Sequence, residues 1–256
     1  GSEAGEKATA GEAVFAPGSE WLAWHLYAGA GAVEHCLRGQ VRPLLHHLLE
    51  EGWIDGWFFL RFPDPDFHLR LRLHCAPGQS VGHVLERCYA TLAGAAVWKI
   101  QLEPYRRELE RYGPAAIEHL ERLFWADSET VLDLLDGAGD SEAPPRWLIA
   151  VWACRCSIRD FGLAEEQALA LFRYARDRFS EQLVLAGRAK NKLLRAKLGP
   201  HQDRIDALIE GDAKELGPTV VAAFRRRSEG GRAAIHALRQ LERKGQLPLS
   251  WERLCG

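Results

Sequence analysis

The sequence has 256 residues, 47% hydrophobic and 27% charged, a length and balance that suit one large domain or two small fused ones and exclude collagen-like, disordered and disulfide-scaffold classes. Lys plus Arg (33) against Asp plus Glu (35) leaves a formal charge of -2, so no global cationic field draws nucleic acid or an anionic membrane. No window approaches the roughly 18 apolar residues of a spanning helix and the start GSEAGEKATAGE is unlike a signal peptide, which predicts a cytoplasmic protein without membrane insertion or direct nucleic-acid binding.

Residues 1–18 read as a flexible leader. The aromatic-rich segment Trp21 to Tyr27 stops at Ala28-Gly29 and is predicted to be a strand. From Gly31 to Glu50 the apolar positions Val33, Val41, Leu44, Leu45, Leu48 and Leu49 have helical spacing. A second strand is predicted over Ile54 to Phe62, followed by the turn Pro63-Asp64-Pro65-Asp66. In the return, Phe67, Leu69, Leu71 and Leu73 alternate with His68, Arg70, Arg72 and His74, a period of two that puts the two sets on opposite faces of one strand. A helix follows from Ser80, its N-cap, to Ala93, and a fourth strand over Ala96 to Leu102 before Pro104.

Strand, helix, strand, strand, helix, strand is the order of a ferredoxin-like split βαβ unit, with both helices on one sheet face. Beyond Gly113-Pro114 helical patterns take over: Ala115 to Leu135, Arg146 to Phe161, Ala164 to Ala186, a short piece near Ile205 to Ile209, and Pro218 to Gly245, with the best break at Gly137 to Pro145. The fold class expected is α+β. Residues 19–113 form the ferredoxin-like subdomain and 114–256 a helical subdomain packed on it, together one domain. Later helices should flank the open sheet face and leave a cleft, because a row of arginines and histidines is not buried without partners.

That row is the first chemical signal. Side chains of residues 68, 70, 72 and 74 recur about 6.6 Å apart on one face, and two guanidinium forks at that spacing suit two carboxylates, or a carboxylate and a peptide carbonyl. An ordinary solvated strand face competes with this reading, yet it seldom carries four successive cationic or potentially cationic positions. The second signal is Tyr105-Arg-Arg-Glu-Leu-Glu-Arg-Tyr-Gly113: Glu108 and Arg111, three apart, share one face of a helical turn. The end of the fourth strand returns beside the central strands and should bring this pair near the arginines.

Other features read as structural. The six cysteines are scattered, with one C-x-C pair (Cys154, Cys156) and no second pair for a zinc set. His46-His47 cannot easily chelate one ion at i, i+1 spacing; His119 and His236 stand alone, and His25 could face either way. Asp127-Ser128 looks like a packing turn, and Arg225-Arg226-Arg227 before Gly230-Gly231 fits a helix C-terminus that favours basic residues. No G-x-S-x-G elbow, Walker sequence, glycine-rich dinucleotide fingerprint or H-E-x-x-H occurs, so hydrolysis, phosphoryl transfer and nicotinamide chemistry are poorly supported.

Gly18-Ser-Glu-Trp-Leu22, Trp57-Phe-Phe-Leu-Arg61 with Asp64-Pro65 and His68-Leu-Arg-Leu-Arg72, Glu108 with Glu110-Arg-Tyr-Gly113, and Phe124 with Asp127-Ser128 together resemble the C-terminal domain of class I lantibiotic dehydratases, found also as a stand-alone protein in thiopeptide biosynthesis. The resemblance runs from about residue 17 to the end. It implies a lyase that eliminates glutamate from glutamylated Ser or Thr of a ribosomal precursor peptide, giving dehydroalanine or dehydrobutyrine, after a tRNA-dependent partner has added the glutamate. It places Arg70 and Arg72 on the arginines of the elimination site, and Glu108 and Arg111 on its glutamate and third arginine. Neither a metal nor an organic cofactor is implied.

After Gly245-Gln-Leu247 the family continues into a His-Met-x-x-Asn-Arg motif, whose histidine takes part in elimination; this sequence ends at Leu254-Cys255-Gly256, where that motif would begin. His68, His74 and Glu108 are then the nearest candidates for proton transfer, with Glu108 better suited to orienting Arg111, since arginines stabilise its charged form. Thiopeptide pyridine synthases resemble the same domain but join two dehydroalanines in a formal [4+2] cycloaddition, with loss of water and leader peptide. That reaction and a non-catalytic peptide-binding subunit are the alternatives.

Overall fold

The structure, a computed structural model, describes residues 13–64, 66–136, 143–181, 192 and 195–248. The leader before residue 13, Pro65 of the expected turn, positions 137–142 of the expected break, the end of the expected 164–186 helix and the final Leu254-Cys255-Gly256 lie outside the described residues. The class is α+β. β1 (Val14–Phe15) precedes β2 (Trp21–Tyr27), α1 (Ala30–Cys36), α2 (Arg42–Glu50), β3 (Ile54–Phe62), β4 (His68–Cys75), α3 (Val81–Leu92), β5 (Lys99–Glu103) and β6 (Tyr105–Arg106). Then come α4 (Leu109–Tyr112), α5 (Ile117–Asp136), α6 (Arg146–Phe161), α7 (Glu165–Glu181), α8 (Gln202–Glu210) and α9 (Gly217–Arg243).

Four antiparallel strands form one sheet in the order β3-β4-β2-β5. Its two central strands supply Leu22, Trp24, Leu26, Leu69, Leu71 and Leu73 to a core shared with α1, α2 and α3, so the leucine face of the 67–74 alternation is the helix-covered one. The expected helix from 31 to 50 is one helical path with a π-helical stretch at Leu37–Val41. Pro43, with no N–H to donate, follows that stretch and interrupts the regular ladder. Ser80 caps α3, its hydroxyl accepting from the amide of His83 at 3.3 Å. The fourth strand of the sheet begins later than expected, at Lys99.

A second sheet was not foreseen. Val14 pairs with Arg106 and Phe15 with Tyr105, which gives part of the expected flexible leader a fixed place and buries Phe15. Phe15 and Tyr105, with Phe124 of α5, close over Trp21, Ala23 and Phe58 on the sheet face opposite the helices. α5 also lies along the edge strand β3, and the hydroxyl of Ser128 accepts from the amide of Phe59 at 3.0 Å. An unpaired strand edge is thereby covered.

α9 runs unbroken through Gly230-Gly231, so Arg225, Arg226 and Arg227 lie in mid-helix and not at a C-terminus. The two glycines are a packing device. A Cβ at Gly231 would approach Leu123 Cδ2 to 2.8 Å, and one at Gly230 would meet Ala126, so small residues let α9 cross α5 closely. Arg227 bonds Ser157 at 3.1 Å and pairs with Asp127 and Asp160, tying three helices together. No described helix is long and apolar enough to cross a membrane.

Candidate active site

β4 displays His68, Arg70, Arg72 and His74 on the face opposite the helical core, and the strand register sets their neighbours. Tyr27 and Phe62 lie beside His68, His25 and Leu60 beside Arg70, Ala23 and Phe58 beside Arg72, and Trp21 and Gly56 beside His74. At the Arg72 end the second sheet and Phe124 form a cover. At the other end Leu60, Phe62 and Trp98 remain exposed, leaving the Arg70 side open.

Arg72 is only 7% exposed, yet its guanidinium meets no carboxylate within ion-pair distance among the described residues. Nη1 donates to the carbonyl of Leu71 at 3.4 Å, Nη2 faces His25 Nε2 at 3.4 Å, and the guanidinium carbon lies 5.5 Å from the centre of the Tyr105 ring. Burial pushes its pKa down to about 10, with Arg70 adding to the shift and Tyr105 and Glu103 opposing it. Arg70 is likewise without an acidic partner among the described residues. Its Nε donates to His68 Nε2 at 3.0 Å and its guanidinium sits 3.6 Å over the Phe62 ring.

His68 is 1% exposed, and its Nδ1 contacts the carbonyl oxygen of Asp66 at 2.7 Å. Because Arg70 donates to Nε2, the proton belongs on Nδ1, and both ring nitrogens are in use. His25, ambiguous in sequence, joins the row: burial first, then Arg72, Arg70 and His68, hold its pKa down to about 3. Its ring centre is 5.0 Å from that of His68. His74 differs. Its Nδ1 bonds Asp55, the extra residue of a β-bulge between Ile54 and Gly56, a device that re-aims a side chain beside a site.

Glu108 and Arg111 pair with each other at 3.6 Å at the start of the short α4. Both are substantially exposed, and neither bonds or pairs with Arg70 or Arg72. The return of the fourth strand brings Tyr105, not Glu108, against the row. A buried cluster absent from the expected site sits just behind. Arg107 grips Glu121 through Nε and Nη2, both at 2.7 Å, and the hydroxyl of Tyr105 donates to the same carboxylate at 2.7 Å. Burial, then Glu121, pushes the Tyr105 phenol well above its ordinary range. Arg107 resembles its neighbour Arg106 in sequence; only the i, i+3/i+4 face of α5 that carries Glu118, Glu121 and Arg122 hinted at a partner.

A cavity of about 1110 Å³ opens beyond His74, between the ends of β2, β3 and β4 and one face of α5. It meets the row at His74 alone; Arg70, Arg72 and His25 do not line it. Buried charge without an acidic partner among the described residues is thus found at the row, and the cavity is a neighbouring feature.

The sequence from residue 21 to 255 matches the family model described as "Lantibiotic biosynthesis dehydratase C-term". It is 30% identical over 121 residues to nisin biosynthesis protein NisB of Lactococcus lactis subsp. lactis, a stretch covering 46% of this chain and 12% of that protein. The fold is similar to that of the tRNA-dependent lantibiotic dehydratase MibB from Microbispora sp. 107891, with a TM-score of 0.72 at 24% identity over 94% of this chain and 25% of that one. It is similar also to TsrL, with a TM-score of 0.64 at 17% identity over 89% and 70% of the two chains. For the pyridine synthase TbtD of thiomuracin biosynthesis the TM-score is 0.55 at 14% identity, over 92% and 94% of the two chains. The chain thus spans only a small part of the dehydratases it matches.

Proposed function

The chain belongs to the lantibiotic dehydratase C-terminal family, and from that premise we propose that it is a lyase of ribosomal peptide modification, eliminating glutamate from glutamylated Ser or Thr to leave dehydroalanine or dehydrobutyrine. The order β3-β4-β2-β5, with helices packed on one face, supports reading the N-terminal part as a ferredoxin-like unit that presents the arginine row on its other face.

What carries the proposal is the buried Arg72 guanidinium, with no acidic partner among the described residues. A buried charge left uncompensated is costly, and a substrate carboxylate compensates it. In the elimination, a base takes the Cα proton, the C–H electrons form the Cα=Cβ bond, and the Cβ–O bond breaks to release glutamate with the electron pair on its departing carboxylate. Arg70 and Arg72 would grip the glutamyl group and stabilise the charge as it develops, which is where preorganised donors act most strongly.

We assign His68 to holding Arg70, since both its ring nitrogens are engaged. His74 Nδ1 is oriented by Asp55 and its Nε2 has no hydrogen-bond partner among the described residues, an arrangement that fits a base for the Cα proton. Glu108 and Arg111 enter on their motif positions alone, as an orienting pair. The glutamate would be supplied by a tRNA-dependent partner in the cytoplasm, and the row itself calls for no cofactor.

Mass spectrometry after incubation with a glutamylated peptide, and separately with a bis-dehydroalanine peptide, tests the reading. Loss of glutamate from the first is expected. A six-membered nitrogen heterocycle from the second would replace elimination with cycloaddition, and no change in either would leave a peptide-binding subunit.

A further inference from the structure

We propose that the cavity beside His74 is a second peptide-binding site, a groove in which Glu129 takes a lysine or arginine side chain of an extended segment. The inference rests on the reading that the chain handles a peptide, but its chemistry lies away from the arginine row. Its α5 wall runs from Glu118 to Asp133, about 22 Å of helix, which matches six or seven residues of extended chain.

Two acidic residues of this wall are already matched. Asp133 pairs with Arg42 and Arg226, and Glu121 with Arg107. Glu129, at the centre, is held differently. Its Oε1 accepts from the indole N–H of Trp57 at 3.2 Å and of Trp125 at 3.0 Å, and no cation pairs with it among the described residues. Two neutral donors orient this half-buried carboxylate without neutralising it. A carboxylate framed by indoles lacks only a cation, and a Lys or Arg head there gains an ion pair together with contact to the aromatic surround of Trp125. Glu20 and Glu118, also in the lining, add negative charge. Arg122, exposed on the rim two turns before Glu129, can meet an acidic residue of the same segment. Because His74 lines both sites, a segment held here runs directly toward the row.

The test follows the indole N–H resonances of ¹⁵N-labelled protein, with Trp57 and Trp125 assigned through Trp57→Phe and Trp125→Phe. Titration with Nα-acetyl-lysine methylamide should move both resonances, while the norleucine analogue should not. A seven-residue peptide with a central lysine should bind at least tenfold more tightly than its norleucine counterpart. Glu129→Gln should abolish that preference and Glu129→Asp should retain part of it, each with a dispersed native spectrum. Equal shifts with lysine and norleucine probes, or an undiminished lysine preference in Glu129→Gln, would overturn the proposal. No glutamylated peptide is used, so a failure here is distinct from a failure of elimination.

Discussion

Nη2 of Arg72 faces Nε2 of His25 at 3.4 Å across the β2–β4 pair, and this contact requires a neutral imidazole. The folded pKa of His25, about 3, lies below its ordinary 6.5, so between those values the unfolded chain binds the extra proton and the folded one does not. The associated stability is present above pH 6.5 and lost as pH falls toward 3. Urea unfolding of the parent protein should show a decline on the order of 1 to 2 kcal/mol between pH 7.5 and 5 from this group. His25→Gln should flatten the profile; an identical slope in both proteins would remove His25 from the account.

Arg72 should trade stability against activity. Replacing the buried guanidinium, which no carboxylate pairs with among the described residues, with an unbranched apolar side chain, Arg72→Met, should raise stability by about 1 kcal/mol, a few degrees in Tm. Glutamate elimination should fall by roughly 10²-fold or more, since a donor to the developing charge is lost. Calorimetry and single-turnover mass spectrometry read the two effects. A variant that is less stable and equally active would contradict both halves.

Glu121 predicts the opposite pattern. Glu121→Gln leaves Arg107 buried without its counter-charge and weakens the Tyr105 bond, which should cost about 3 kcal/mol or more in urea unfolding. The joint replacement Arg107→Met with Glu121→Leu should recover most of that loss. A single variant as stable as the parent would mean that water reaches the pair.

Ser128→Ala removes the hydroxyl that receives the Phe59 amide. A buried N–H without an acceptor costs about 1 to 3 kcal/mol. Hydrogen exchange at Phe59 should accelerate far more than at the strand's inner-facing amides; unchanged protection would show that α5 shields this edge without the hydroxyl.

The sheet and its arginine face were legible because one residue in two along 67–74 is leucine or phenylalanine, and that period survives any tertiary context. His25 was not, for a reason visible in its strand: β2 is buried on both faces, so Trp, Leu, Ala and Tyr surround the histidine and conceal which side it takes. The Glu108–Arg111 pair followed from spacing, whereas its separation from the arginines depends on where a strand ends in space. Around Arg225 to Arg227 two glycines imitate a helix stop in sequence, whereas in the fold their absent side chains make room for Leu123 and Ala126. Two-residue strands such as β1 and β6 are too short to have a period.

The pairing of Phe15 with Tyr105 joins positions about 90 residues apart, and closing a loop of that size costs roughly 4 kcal/mol in chain entropy. A ladder of two residues cannot offset this from an open chain. The cost falls where the four-stranded sheet holds Tyr105 beside Trp21, so the arm at Val14–Phe15 depends on the sheet as a latch depends on its frame. The cover over Arg72 therefore rests on the sheet beneath it, and the guanidinium is sheltered only in chains whose strands have paired in the right register.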